Sequence, residues 1–237
     1  GVLPVLLGRA TRLSRWITGH RKRYRFELRL GASTDTGDCD GILTETGDFS
    51  GIGRDDLETA AAGLTGRFGQ RVPEYSAVRL EGVRAYSRAR KGIGQEMPLR
   101  QVEAYDWMIG PLEDARATIE VTVSSGAYVR ALARDLGEIL GCHAHAASII
   151  RTAVGGFTVE MCSREPDEPS SLIGMAEAMS GYAAVTLSER DAQAVRTGMP
   201  VPSDLSGTVA LLDPASSGLL AVGEGDGMRI RPLAVFP

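Results

Sequence analysis

One segment of the chain places a phenol and a guanidinium at the start of a helix. Residues 124–137 read Ser-Ser-Gly-Ala-Tyr-Val-Arg-Ala-Leu-Ala-Arg-Asp-Leu-Gly and follow an alternating apolar run that ends at Val123. The alternation predicts a half-buried strand, and apolar residues at spacings of three and four then predict a helix that Gly141 ends. Tyr128 and Arg130 therefore lie at a strand–helix junction, a rigid place from which both groups can meet a ligand. An ordinary junction with a packed tyrosine and an exposed arginine fits the same pattern.

A second aromatic residue stands at the start of the clearest strand in the sequence. From Tyr24 to Leu30 apolar and charged residues alternate strictly. This pattern predicts a strand with one buried face, and Tyr24 falls on the apolar side at its beginning. A core tyrosine at a strand edge and a ring that stacks on a ligand both fit this position.

Positive charge is concentrated in the first part of the chain. Residues 1–100 hold 17 Lys and Arg against 12 Asp and Glu, although the whole chain has a formal net charge of −4. Between residues 70 and 92, Tyr75 and Tyr86 are interleaved with the cations Arg79, Arg84, Arg88, Arg90 and Lys91. Rings stack on bases and guanidinium groups bind phosphates, so this mixture favours single-stranded or flipped nucleotides. A solvated charged face is the alternative.

The sequence gives little support for metal, disulfide or membrane chemistry. Cys39, Cys142 and Cys162 are odd in number and far apart, so they form neither a disulfide framework nor a paired metal motif. Residues 34–41 resemble a calcium loop, but Gly47 stands where the bidentate glutamate belongs, which indicates an acidic turn instead. No apolar run approaches the length of a membrane span. We expect no metal or cofactor, and a reducing cytoplasm as the location.

The remaining pattern predicts a mixed architecture. An apolar stripe predicts a helix over residues 55–68, and the acidic, proline-containing residues 160–169 are typical of a linker. Ser188 to Asp191 form a capping box that begins a short helix. Short apolar runs separated by Gly, Pro and Asp follow, and they predict a small β-barrel-like domain. Together these elements predict an α+β fold with a mixed or antiparallel sheet.

Several segments, taken together, resemble the TruB-type tRNA pseudouridine-55 synthases. They occur in the order and spacing of that family over about residues 1–160, and the ordered set is far more specific than any one of them. They are Gly1–Arg12, Lys22–Tyr24, Leu30–Asp38, Tyr75–Arg79, Arg84–Tyr86, Ser124–Arg130 and Gly141–His145. The resemblance implies a pseudouridine-synthase catalytic domain over residues 1–180, with a thumb-like loop at about residues 71–92. It also implies a small β-rich PUA RNA-binding domain over residues 184–237.

The resemblance implies a reaction as well. Uridine 55 in the T loop of tRNA is flipped out of its stack, its glycosidic C–N bond is broken, and the base is rejoined through C5 without a cofactor. Tyr24 is expected to stack on the base and to take the C5 proton, whereas Tyr128 and Ile149 line the uracil pocket. Arg130 is expected to pair with the catalytic carboxylate. Attack on C1′ and removal of the C2′ proton both remain open as the role of that carboxylate.

The partner that the resemblance implies is tRNA, with neither DNA nor a membrane involved. The T arm is the expected contact of the catalytic domain, and the acceptor stem is a further contact open to the PUA domain. The cations expected to touch the RNA are Arg79, Arg84, Arg88, Lys91 and Arg151.

The chain departs from the family pattern at its beginning. The catalytic Asp of the family belongs to a G-x-L-D-P-x-A-T-G-V-L motif, whose last three residues correspond to Gly1–Leu3. The nucleophilic Asp is therefore expected upstream of Gly1, outside the chain as printed. Asp35 and Asp38 are the nearest acids in sequence, but Arg130 is retained as if for the original partner. A non-catalytic tRNA-binding or RNA-folding protein is the alternative function, and an unrelated α/β enzyme is a third reading.

Overall fold

The chain contains fifteen strands and six helices in a computed structural model, counted over the residues it describes, which are 1–80, 82–89, 96–163 and 172–236. The strands are β1 (Lys22–Leu30), β2 (Ala32–Thr34), β3 (Leu43–Thr46), β4 (Gly66–Arg71), β5 (Arg79–Leu80), β6 (Val83–Arg84), β7 (Leu99–Glu113), β8 (Arg116–Val123), β9 (Ala144–Val154), β10 (Phe157–Thr158), β11 (Ala183–Thr186), β12 (Val201–Pro202), β13 (Ser206–Leu212), β14 (Leu219–Asp226) and β15 (Arg229–Val235). The helices are α1 (Ser14–Gly19), α2 (Arg54–Gly63), α3 (Ala85–Ala89), α4 (Val129–Ile139), α5 (Met175–Ala178) and α6 (Glu189–Arg196), with 3-10 turns at Gly8–Leu13 and Val159–Met161. Among the described residues, no helix is both long and apolar enough to cross a membrane.

The chain divides into two compact units. The first unit contains residues 1–2 and 20–154, and the second contains residues 3–19 together with the chain from Gly155 onward. Apolar side chains of residues 3–19 and of Met179 belong to a core cluster of the second unit. The predicted catalytic domain over residues 1–180 and PUA domain over residues 184–237 stay predictions.

The first unit is organised around an antiparallel arrangement of strands. Strands β9, β1, β8, β7 and β4 lie side by side in this order, and each neighbouring pair is antiparallel. The alternation predicted for β1 is confirmed, since Phe26, Leu28 and Leu30 are buried whereas Arg25 and Arg29 are exposed. Apolar side chains of α2 and α4 pack on the buried face. Full burial of each such side chain contributes about 1.5–3 kcal/mol.

Helix α4 has the stripe and the end that the sequence predicts. Val129, Leu132 and Leu136 are buried in the core of the first unit. The helix ends at Ile139, and Gly141 follows with a φ of +70°. Such a left-handed residue after the last turn suits glycine, which carries no Cβ to clash. The helix start therefore holds Tyr128 and Arg130 at the edge of a packed core.

The second unit is rich in β structure. Its strands lie in the order β11-β13-β14-β15-β12, with β11 parallel to β13 and the other pairs antiparallel. The predicted capping of α6 is confirmed, since the Ser188 hydroxyl accepts a hydrogen bond from the Asp191 N–H. The mixture of helices with mixed and antiparallel strands confirms the α+β class.

Candidate active site

The guanidinium of Arg130 is fixed by three acceptors at the beginning of α4. Its Nη1 donates to the Thr36 carbonyl oxygen at 2.6 Å and to Asp38 Oδ2 at 3.1 Å, and its Nη2 donates to the Tyr75 carbonyl oxygen at 2.6 Å. The side chain is 22% exposed. Hydrogen bonds from a charged donor are short and strong, and a planar guanidinium bound on both terminal nitrogens cannot rotate freely. Arg130 therefore has one orientation.

The acidic turn after β2 is built to hold the Asp38 carboxylate against this arginine. While Oδ2 faces Arg130, Oδ1 accepts from the Thr36 hydroxyl at 2.6 Å and from the Asp40 N–H at 3.2 Å. Gly37 has a φ of +75°, and a Cβ there would lie 3.3 Å from the Arg130 Cβ. The turn thus needs glycine both for its conformation and for its close approach to α4.

The pairing of Arg130 with Asp38 adds a contact that the sequence did not predict. From the sequence, Asp38 is only one of the two acids nearest to the motif that should hold the upstream Asp. The two residues are 92 positions apart, and no periodicity links them. The only sequence signal is that each stands in a segment with the spacing of one family. The expected pairing of Arg130 with the catalytic carboxylate stays a prediction.

Tyr24 lies at the start of β1 between two other strands. It pairs with Val121 on β8 and with Arg151 on β9, and its half-buried ring packs against the core of the first unit. Burial lowers the pKa of Lys22, and the nearby charge of Arg151 lowers it further. The charges of Lys22 on β1 and Arg151 on β9 are therefore close enough to affect each other.

Arg151 also has a structural partner. Its Nε donates to the Val2 carbonyl oxygen at 2.7 Å, and the Val2 N–H donates to the Arg151 carbonyl oxygen at 2.8 Å. The first residues of the chain are thereby tied to β9. On the same strand Ile149 pairs with Phe26 and is 39% exposed. The roles of Arg151 in RNA contact and of Ile149 in the pocket wall stay predictions.

Tyr128 is the residue immediately before α4, and its backbone is held by a buried glutamine. The Tyr128 N–H donates to Gln70 Oε1 at 2.8 Å, and Gln70 Nε2 donates to the Tyr128 carbonyl oxygen at 3.2 Å. The Tyr128 side chain packs against a small cluster of Val72, Ala85 and Met97. Sequence reasoning missed Gln70, because nothing in the pattern of β4 separates this glutamine from an exposed one.

The segment predicted to be a thumb-like loop contains more regular structure than expected. The backbones of Arg79 and Arg84 pair between β5 and β6, and Arg88 lies on α3. The Tyr86 N–H donates to the Ser76 carbonyl oxygen at 3.1 Å, so the segment folds back on itself. Lys91 lies outside the described residues. Contact of these cations with RNA stays a prediction.

The Arg130 guanidinium at the start of α4 is a group that can bind an anion. The described residues contain no group of three or more His, Cys, Asp and Glu that could hold a metal ion. Arg130 stands in the first turn of α4, where the helix dipole adds to its positive charge. A carboxylate or phosphate that approaches this helix start meets an oriented guanidinium, and Tyr128 supplies a ring two residues earlier. Such a site can orient an ionised carboxylate for attack or for proton transfer.

Sequence comparisons identify the family. Residues 1–129 match the family model described as "TruB family pseudouridylate synthase (N terminal domain)". The chain is 35% identical over 252 residues to tRNA pseudouridine synthase B of Xanthomonas campestris pv. campestris (strain 8004), an alignment that covers 100% of this chain and 80% of the relative. It is 33% identical over 223 residues to tRNA pseudouridine synthase B of Listeria innocua serovar 6a, with 88% of this chain and 73% of the relative covered.

Solved structures agree with this assignment at the level of the fold. A chain in the crystal structure of a Cbf5-Nop10-Gar1 complex has a TM-score of 0.73 at 22% identity, and the match covers 100% of this chain and 73% of that chain. A chain in the structure of an H/ACA RNP bound to a substrate RNA containing 2'-deoxyuridine has a TM-score of 0.69 at 17% identity, with 98% and 70% covered. The protein studied here belongs to the TruB family of pseudouridylate synthases.

Proposed function

We propose that the protein converts uridine 55 in the T loop of tRNA to pseudouridine. The observation that carries the proposal is the oriented guanidinium of Arg130 at the start of α4, in a chain that belongs to the TruB family. The relatives named tRNA pseudouridine synthase B, which align over most of their length, support tRNA as the substrate.

The proposed reaction exchanges one bond within a nucleotide. The N1–C1′ bond breaks, the detached uracil turns, and a C5–C1′ bond forms. The C5 proton then leaves to a base and N1 gains a proton, so no oxidant, reductant or cofactor is consumed. The flipped uracil stacks on Tyr24, which is also the proposed acceptor of the C5 proton, while Tyr128 and Ile149 line its pocket.

Arg130 serves this reaction by orienting a carboxylate. A guanidinium has five N–H donors, and three of them account for the contacts to the acidic turn and to Tyr75. A further donor is proposed to bind the catalytic Asp, expected upstream of Gly1, and to keep it ionised. Asp38 opposes the charge of Arg130 and fixes its orientation.

The two units are proposed to divide the binding of tRNA. The first unit is the proposed pseudouridine-synthase domain, and its cations, Arg79, Arg84, Arg88, Lys91 and Arg151, bind phosphates of the T arm. The β-rich second unit is the proposed PUA domain, which reaches the acceptor stem. The proposed location is the cytoplasm, where tRNA is modified.

The release of hydrogen from C5 tests the proposal directly. An unmodified tRNA transcript with tritium at C5 of its uridines is incubated with the full-length protein. We expect release of one equivalent of tritium per tRNA, and none beyond background from a transcript with cytidine at position 55. Binding of the first transcript without release supports the non-catalytic alternative and rejects the enzyme.

An Arg130→Lys variant examines the observation on which the proposal depends. Lysine is a point charge that cannot meet the acceptors of Thr36, Asp38 and Tyr75 together. We expect turnover to fall by about 100-fold or more, since loss of one well-placed electrostatic group costs about 10²–10³ in kcat. The affinity for tRNA is expected to change by only a few-fold, and Arg54→Lys, at an exposed ion pair with Glu58, is the matched control. Equal losses of turnover and affinity would instead assign Arg130 to phosphate binding.

A further inference from the structure

A buried amide joins β4 to the residue that precedes α4. Gln70 is 1% exposed, and its side chain makes both hydrogen bonds of an amide pair with the Tyr128 backbone. The side-chain oxygen must face the Tyr128 N–H and the side-chain nitrogen must face the Tyr128 carbonyl, since the reverse orientation would oppose donor to donor. The contact therefore holds the Tyr128 peptide groups as a neighbouring strand would.

The start of α4 depends on this contact because its own cap is incomplete. Tyr128 is the N-cap residue and makes no hydrogen bond from its side chain to the helix. Its backbone is extended, with φ −114° and ψ 117°, and its carbonyl oxygen also accepts the Leu132 N–H at 3.1 Å. Gln70 thus fixes the residue at which the chain turns from extended to helical, two positions before Arg130.

Gln70 also contacts α4 two turns further on. Tyr128 and Asp135 are seven positions apart and share one helix face. Burial raises the pKa of Asp135, while the charge of Arg134 and a hydrogen bond from the Gln70 side chain oppose that rise. Arg134 Nη2 in turn donates to the Arg71 carbonyl oxygen on β4 at 3.1 Å. The glutamine therefore belongs to a polar network that joins β4 to one face of α4.

We propose that Gln70 is a positioning residue for the reaction, which orients the Tyr128 ring and the first turn of α4 that carries Arg130. The inference rests on the proposed function, in which Tyr128 lines the uracil pocket. Gln70 does not touch the substrate in this scheme and acts through the backbone of Tyr128. Small displacements of positioned groups lower kcat strongly, by as much as about 10²-fold for 1 Å.

Gln70→Met removes both hydrogen bonds and keeps a similar length. We expect kcat for tritium release to fall by about 10- to 100-fold, with the Kd for tRNA within about 2-fold of the parent. The assay is run well below the unfolding midpoint of the variant, so that a loss of stability alone would leave kcat unchanged. Gln101→Met is the matched control, because Gln101 is exposed and lies opposite Gly69 on the adjacent β7. Its kcat is expected to equal that of the parent.

The pH dependence of kcat in a Gln70→Glu variant gives a test that a merely structural role would not pass. In its ionised form the introduced carboxylate accepts from the Tyr128 N–H but repels the Tyr128 carbonyl oxygen and Asp135. When the introduced group takes up a proton, its O–H replaces the lost donor. We therefore expect the ratio of the variant's kcat to the parent's to rise as the pH falls. A ratio that does not change with pH would contradict the positioning role.

Hydrogen exchange measures the position of Tyr128 without any assay of activity. In Gln70→Met we expect the amide of Tyr128 to exchange at least about 10-fold faster, while residues of β1 keep the parental rate. Unchanged exchange at Tyr128 overturns the inference, and faster exchange with parental kcat overturns its catalytic part. If the parent polypeptide itself forms no pseudouridine, the proposed function fails, and exchange alone then decides whether Gln70 positions Tyr128.

Discussion

At the residue scale, the charge of Asp38 and its shape make separable contributions to the site. Asp38→Asn keeps the size of the side chain but places an amide where a carboxylate opposed Arg130. We expect turnover to fall about 10- to 100-fold. Without the negative charge of Asp38 the Arg130 guanidinium shifts, and it no longer orients the proposed catalytic carboxylate. Single-turnover tritium release measures the loss. Asp40→Asn, in the same turn but exposed, is expected to keep parental turnover, and equal losses in both variants would point to the fold of the turn instead.

Tyr24 is proposed both to stack on the uracil and to accept the C5 proton, and one substitution separates these two roles. Tyr24→Phe keeps the ring, and with it the packing against the core and the stacking on uracil, but removes the hydroxyl. We expect the affinity for tRNA to stay within about 2-fold, because stacking depends on the ring, and most turnover to be lost. Binding by filter retention and turnover by tritium release check the two expectations. Turnover near the parental rate would leave Tyr24 as a stacking platform only.

Sequence reasoning found the residues of the site that carry a motif and missed those that support them. Tyr24, Tyr128 and Arg130 each stand at a recognisable place in a strand or helix pattern. Gln70 meets its partner across 58 positions, and Asp38 meets Arg130 across 92. Contacts of this kind depend on which elements become neighbours in the fold, so the local periodicity of the sequence cannot predict them.

At the scale of elements, the packing of α4 on β9 depends on a glycine. A Cβ on Gly137 would overlap Ala144 N and lie 2.5 Å from the carbonyl carbon of His143. Alanine is the better helix former by about 0.8–1.0 kcal/mol, yet both atoms belong to backbone that cannot give way cheaply. We therefore expect Gly137→Ala to lower the free energy of unfolding by about 1–3 kcal/mol, the usual cost of overpacking.

Urea denaturation measures this change, and α2 provides the matched control. Gly63 is the last residue of α2, and a Cβ there would meet no atom within 4 Å. Gly63→Ala is expected to be neutral or to stabilise by up to about 1 kcal/mol. A stabilising effect of Gly137→Ala would show that β9 shifts to accept the methyl group.

Helices and strands with one clear hydrophobic period were predicted well. The segment of residues 55–68, which contains the end of a helix and the start of a strand, was not. The alternation of β1 and the stripe of α4 match the structure, as does the N-cap of α6. The helix predicted over residues 55–68 instead ends at Gly63, and Gly66 with a φ of +86° begins β4. The predicted stripe failed because Phe68 keeps helical spacing by coincidence and packs against the core from a strand.

At the scale of the whole molecule, the division of the chain into units could not be obtained from the sequence. Residues 3–19 resemble the beginning of a catalytic domain in motif order, and the sequence places them there. In the structure Leu13, Trp16 and Ile17 share a core cluster with Met179 and Phe236. Which core an apolar segment joins is decided by packing, and the pattern of the segment is the same in either case.

Carboxylates in the two units have pKa values shifted in opposite directions. Hydrogen bonds from the backbone of Arg229 and Met228 hold the pKa of Asp226 below its ordinary value, and those from Ser216 and Ala215 do the same for Asp213. A pKa lowered in the folded state contributes stability above the unfolded pKa, about 3.9, and this contribution is lost as the pH falls through the folded pKa. Asp135 in the first unit behaves in the opposite way, because burial raises its pKa and protonation then favours the folded state.

Thermal unfolding between pH 6 and pH 3 therefore distinguishes two variants of the native polypeptide. Asp226→Asn lacks the acid-labile contribution, so we expect its Tm to fall less on acidification than that of the parent. Asp135→Asn lacks the contribution that grows on acidification, so its Tm is expected to fall more. The two differences from the parent should have opposite signs, which separates these local effects from a general loss of stability in acid. If both variants follow the parent's decline, neither carboxylate governs acid stability, and the loss must arise from other charged groups.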